Sequence, residues 1–323
     1  MRPLPPRRRG RPVTGRPDGT VNLMNDQFPV STLRLALVVA GLVLSLIAGF
    51  GIGRLNPPPS SVAGTSTTAG AEHTHPAGTP AHAHPDGPTA EVGGLAVTSA
   101  GYTLVPLDGT FTAGRADEFR FRIQETGQRP VTRFAIVHDK PMHLIVVRRD
   151  LSGYQHLHPT MATDGTWSVP LTLPEPGIWR AYADFAALTP DGAQTPVTLG
   201  VDLVVPGAYA PRELPPVART ATVDRFTVDF QGDPRIGVDA PMAFRVRVGD
   251  TTPTLERYLG AYGHLVVLRE GDLGYLHVHP ETELAGSAVM FRLTMPGPGR
   301  YRFYLDFQVA GEVHTAEYTV TMP

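Results

Sequence analysis

No cysteine occurs among the 323 residues, which excludes disulfides, thiolate metal sites, a cysteine nucleophile and a lipid-modified cysteine tether. Lysine is nearly absent. Lys140 is the one lysine among 28 basic residues, a bias of the kind a GC-rich coding genome imposes. Tryptophan occurs twice, at Trp167 and Trp179, and both read as core fillers. Helical periodicity is missing too: outside one apolar run, no stretch of about 12 residues or more places its apolar side chains at helical spacing. The G-x-S-x-G, P-loop and H-E-x-x-H patterns are also absent.

Basic charge is scarce beyond the N-terminus. Residues 1–54 hold eight arginines against Asp18 and Asp26, a balance of +6, so the net −2 leaves −8 for the remainder. A mildly acidic body without a basic stripe excludes nucleic acid as a partner.

Glycine and proline are abundant, at 34 and 33 residues, and favour turn-rich β structure and linkers. Residues 1–31 are rich in Arg, Pro and Gly and read as a disordered cytoplasmic head. Residues 35–53, LALVVAGLVLSLIAGFGIG, run 19 positions without a charge, enough to cross a bilayer. With arginines preceding it, this run predicts a transmembrane anchor over 32–54 with the N-terminus in the cytoplasm. A cleaved signal peptide competes, although its apolar core usually spans only ~7–15 residues. Either reading places the main body outside the cytoplasm, and the anchor reading makes the chain a single-pass plasma-membrane protein. Residues 55–94 form a Pro/Ser/His-rich linker. Its segment EHTHPAGTPAHAHPDG carries His73, His75, His82 and His84. Neutral imidazoles this close can chelate Cu(II), Zn(II) or Ni(II) weakly; chance enrichment in a low-complexity tether is the alternative.

One stretch occurs twice. MHLIVVRRDLSGYQHLHP (142–159) aligns without a gap with GHLVVLREGDLGYLHVHP (263–280). The match pairs His143 with His264, Tyr154 with Tyr275, His156 with His277 and His158 with His279. Around it, each half carries eight short β-prone runs. These include 102–107, 131–137 and 197–205 in the first half, and 226–230, 255–259 and 313–322 in the second. Tyr-x-Asp-Phe recurs late in each half, at Asp184 and Asp306. The prediction is an all-β fold of two tandem Ig-like antiparallel β-sandwiches, repeat 1 over 95–206 and repeat 2 over 217–323, joined by a stiff connector at 207–216.

Side chains alternate faces along a strand, so His156 and His158 share a face. A simple hairpin pairing Asp150 with Gly153 puts His158 opposite Ile145, with His143 diagonal to it on the same face. A register shift of two residues would place His143 directly opposite His158, and only an odd slip would separate them. His143, His156 and His158 thus form a candidate three-histidine metal face for Cu(II) or Zn(II), and His264, His277 and His279 form its twin. Asp184 and Asp306 are candidate fourth ligands or hydrogen-bond acceptors behind the ligands. His138 and Met142 add candidate ligands in the first copy only. Against this stands a structural role: both strands are nearly continuous apolar runs, and buried histidines can simply be hydrogen-bonded to Asp184 or Asp306. Nothing nearby reads as a general base or activated nucleophile, so binding or delivery is favoured over catalysis. A metal-activated water would need an open coordination position. A cell-envelope interaction module with an envelope protein partner is the reading from another class.

Residues 140–159 and 258–280 also resemble segments of bacterial secreted or membrane-tethered proteins described as heavy-metal-binding or Ig-like. The likeness covers most of 95–323. It implies small β-sandwiches of the copper-handling CopC and YtkA-like kind. The chain departs from the copper-resistance sandwiches in lacking a histidine at a processed N-terminus and a methionine-rich loop.

Overall fold

Alternation of buried and exposed side chains separates two kinds of strand. A computed structural model describes residues 92–323 except 126, 190 and 277, and describes His279 by its backbone alone. The expected head, anchor and nearly all of the linker, with His73, His75, His82 and His84, lie outside the described residues.

The first repeat contains β1 (Thr98–Ser99), β2 (Tyr102–Pro106), β3 (Ala116–Glu125), β4 (Arg129–Pro130) and β5 (His143–Arg148). It continues through β6 (Gln155–Leu157), β7 (Thr160–Met161), β8 (Thr166–Thr172), β9 (Gly177–Leu188) and β10 (Gln194–Val205). One sheet has the order β1-β2-β3-β8-β7, with β4 beside β3, and the other β10-β9-β5-β6. The second repeat comprises β11 (Thr220–Val223), β12 (Phe226–Gln231), β13 (Arg235–Ile236), β14 (Ala240–Arg247) and β15 (His264–Arg269). Then follow β16 (Tyr275–Leu276), β17 (His279–Pro280), β18 (Ala288–Met295), β19 (Gly299–Val309) and β20 (Glu312–Met322). Its sheets run β11-β12-β14-β18, with β13 and β17 beside β18, and β16-β15-β19-β20.

In each repeat the two sheets close over one core. Phe119, Phe121 and Trp167 meet Leu144, Val146 and Trp179 in the first. Phe230, Phe244 and Phe291 meet Phe303 and Tyr318 in the second. Both tryptophans are core fillers, each 1% exposed. Strands such as β14 alternate buried and open positions, as a sheet with one wet face requires. All six residues of β5, in contrast, are buried, and five of six in β15.

That double burial comes from the other repeat. Ile145, Val147 and Tyr182 on the outer face of the β5–β9 pair pack against Val266, Leu268 and Tyr304 on the outer face of β15–β19. Tyr182 donates its hydroxyl to the Leu273 carbonyl at 2.6 Å, and Tyr304 donates to the Leu151 carbonyl at 2.6 Å. Residue i meets j and j meets i, as in a two-fold dimer interface, here within one chain. Gly93 pairs with Tyr275 through two backbone hydrogen bonds. Gly94 beside it has φ +69°, and a Cβ there would lie 2.3 Å from Tyr182, so only glycine fits against that ring.

Two runs expected as strands are not ladders. Residues 131–137 touch β9 at one isolated bridge, Phe134 to Ala187, and 255–259 touch β19 at Glu256 to Gln308. Each ends in a tight turn whose central residues have positive φ, His138 (47°) and Asp139 (60°), or Leu259 (55°) and Gly260 (78°). Such turns fold the chain back at once, and they aim the Val137 and Tyr258 carbonyls at the histidines.

Candidate functional site

His143 opens β5 opposite Asp184 of β9, and His264 opens β15 opposite Asp306 of β19. β6 lies with His156 opposite Ile145, the two-residue shift away from the simple hairpin. Its extension brings His158 to His143, and the shared face is the one that packs on the second repeat. The ring centroids stand 5.3 Å apart for His143 and His156, 5.1 Å for His143 and His158, and 4.8 Å for His156 and His158. One nitrogen from each lies within 4.8 Å of the others.

Hydrogen bonds assign the protons. His143 Nε2 donates to the Val137 carbonyl at 3.0 Å, so its Nδ1 carries the lone pair when the ring is neutral. His156 Nδ1 faces Asp306 Oδ2 at 2.8 Å, which requires a proton on Nδ1. His156 Nε2 then meets His143 Nδ1 at 3.1 Å. Two lone pairs at that distance repel, so a proton or a metal cation must lie between them. Imidazoles sharing a tetrahedral ion with metal–nitrogen bonds of ~2.0–2.1 Å bring their centroids to about 5 Å, which matches this trio.

The surroundings orient the trio. Asp306, 1% exposed, also accepts from the Tyr154 hydroxyl at 3.0 Å and from Thr315 at 2.6 Å. His158 Nε2 is buried with no hydrogen-bond partner among the described residues. Burial, then the neighbouring His156 and His143, push the His158 imidazole down to about 3. Burial likewise lowers His264 to about 3. The Tyr154 hydroxyl is pushed far up by burial and then by Asp306. An open cleft of about 470 Å³, lined by Phe134, Lys140, Met161 and Trp167, reaches His158 and offers a path from solvent.

Of the expected second face, the side chain of His264 alone is described. His264 of the second repeat lies with its ring 6.1 Å from His156 and 6.5 Å from His143, within the first repeat's cluster. His138 joins as well, 5.2 Å from His264. Met142, the other first-copy candidate, is wholly buried in the first core and points away from the histidines. His277 is outside the described residues. β16 (Tyr275–Leu276) pairs with β15, whereas β17, which begins at His279, pairs with β18 of the other sheet. Asp184 and Asp306 serve across the boundary as well as within their own repeats. Asp306 takes His156 and Tyr154, and Asp184 takes the Tyr275 hydroxyl at 3.3 Å and Thr198 at 2.8 Å. The paired Gly-Tyr dipeptides at 153–154 and 274–275 were the available sequence signal for this crossing.

A family model described as "Domain of unknown function (DUF8832)" matches residues 95–202 and again 221–323. No curated protein sequence matches. Among solved structures, the chain is similar to FdeC, an Escherichia coli adhesin, at 13% identity and TM-score 0.24, over 71% of this chain and 66% of that one. A 1.5-MDa bacterial ice-binding adhesin follows at 11% identity and TM-score 0.21, over 68% of this chain and 63% of that one. The tandem Ig repeats of Dlar give 9% and 0.18, over 69% and 97%. The chain thus spans just under two thirds of the two adhesin chains, and likenesses of this strength do not bear on activity.

Proposed function

We propose that this chain, which belongs to the family described as a domain of unknown function (DUF8832) through both of its repeats, is a non-catalytic, extracytoplasmic metal-binding module. The His143, His156 and His158 side chains would take one divalent ion, Cu(II) or Zn(II), for binding or delivery. The observation that carries this is the 3.1 Å gap between His143 Nδ1 and His156 Nε2, whose two braced lone pairs call for a positive charge. His158 Nε2, without a hydrogen-bond partner among the described residues, supplies a third nitrogen beside it. Both metals accept neutral imidazole, and metal ligands characteristically pass their other N–H to a carbonyl or carboxylate, as His143 and His156 do. When bound, the ion would contribute a fixed positive charge that replaces the shared proton. The resemblance to copper-handling sandwiches points the same way. The apolar run at 35–53 would tether the module to the plasma membrane, and the linker histidines would act as a weak collector.

A second reading has its own support. Both nitrogens of His156 already have partners in His143 and Asp306, so the cluster could serve only to weld the repeats of an envelope interaction module that binds an envelope protein. Titration of the full chain with Cu(II) and Zn(II), with the linker histidines replaced by alanine, separates the two. The metal reading expects micromolar or tighter uptake that is lost in His143→Ala, His156→Ala and His158→Ala. Uptake that is absent, or unchanged in all three variants, would leave the welding role.

A further inference from the structure

The second repeat contributes an imidazole that the three-histidine site leaves unused. His264 matches His143 in position and in bracing, its Nε2 donating to the Tyr258 carbonyl at 2.8 Å as His143 Nε2 donates to Val137. The brace leaves Nδ1 as the nitrogen with the lone pair. His264 is only 7% exposed, and its burial favours the neutral form that a metal requires. Its centroid stands 6.1 Å from His156 and 6.5 Å from His143. Rings on one tetrahedral ion stand about 5 Å apart, so an approach of about 1–1.5 Å would bring His264 to that spacing from His156 and His143.

Resting on the metal reading above, we propose that His264 is the fourth ligand, so that one ion is held between the repeats by three imidazoles of the first and one of the second. The duplicated pattern by itself implies two ions per chain. The placement of His264 beside His143 and His156 instead makes one shared centre the economical arrangement, since two dications in one buried cluster would repel strongly. A site closed by four protein ligands lacks the open position that a metal-activated water needs. Such an ion would act as a staple: the repeats already dock through apolar contacts, and the ion would add a bond from each side.

The test is Cu(II) titration of the full chain with alanine at the four linker histidines, read as ions bound per chain and as coordinated imidazoles counted by pulsed EPR. The expected result is one ion with four imidazoles. His264→Ala and the gentler His264→Gln should each lower the count to three and weaken affinity at least tenfold, while His138→Ala keeps four. Two ions per chain, or an unchanged count and affinity in both His264 variants, would overturn the shared centre and spare the three-histidine site. Loss of an imidazole in His138→Ala but not in the His264 variants would also overturn it. A parent chain that takes up no ion would remove both proposals.

Discussion

Tyr154 and Asp306 belong to different repeats, yet the Tyr154 hydroxyl donates to the Asp306 carboxylate at 3.0 Å. The reverse pair, Tyr275 to Asp184 at 3.3 Å, completes a cross over the repeat boundary. Each repeat therefore braces a tyrosine of the other, and His156 beside Tyr154 is positioned by the same Asp306, 150 residues away in sequence.

Asp306→Asn tests how much the crossing holds. An amide keeps the shape, removes the charge facing His156, and presents a donor where three acceptor contacts are needed. Leaving a buried donor that faced this carboxylate unpaired costs about 1–3 kcal/mol, and losing the carboxylate behind a metal ligand typically weakens metal binding ~10–100-fold. Urea denaturation and metal titration would both report it. An unchanged urea midpoint would contradict the brace.

The tyrosine hydroxyls that reach across to backbone carbonyls offer a milder probe. Tyr182→Phe and Tyr304→Phe leave the Leu273 and Leu151 carbonyls unpaired in a buried interface, at a cost of about 1–3 kcal/mol each. Neither ring is a metal ligand, so metal uptake should survive while thermal stability falls. Loss of uptake with no loss of stability would be the wrong outcome.

Acid should destabilise the metal-free protein well above the carboxylate range. His158 and His264 have folded pKa values of about 3 against an unfolded value near 6.5. Below about pH 6.5 the unfolded chain binds protons that the folded chain refuses, so stability falls as pH drops toward about 3 and then levels off. The buried His264 contributes up to ~1.4 kcal/mol per pH unit in that window; the partly exposed His158 contributes less because water screens it. Urea midpoints taken in chelator at pH 7, 5 and 4 should decline, and His264→Gln should flatten the slope. A flat profile for the parent chain would refute the assignment.

The corrections fall at a strand face, at two turns and at one hairpin register. Met142 directly precedes the first histidine and was a fair candidate ligand by spacing. In the fold it falls on the opposite face of the strand and packs among Leu144 and Val146. Residues 131–137 and 255–259 are β-prone in composition, but the left-handed turns at 138–139 and 259–260 leave them no partner strand. The hairpin register was two residues off the simplest one, an even shift that left the histidine face unchanged.

The sequence alone determined that the chain is β-rich and duplicated, and that His143, His156 and His158 share a face, because a period of two depends only on local backbone geometry. It also carried a hint in the unbroken apolar runs of β5 and β15, which require cover on both sides. What covers them was decided by tertiary structure alone. Alternation says which side of a strand a residue takes but not what lies opposite, and here the opposite surface is the other copy of the same strand. That docking brought His264 of the second repeat beside His143 and His156 of the first, and paired each repeat's tyrosine with the other's aspartate.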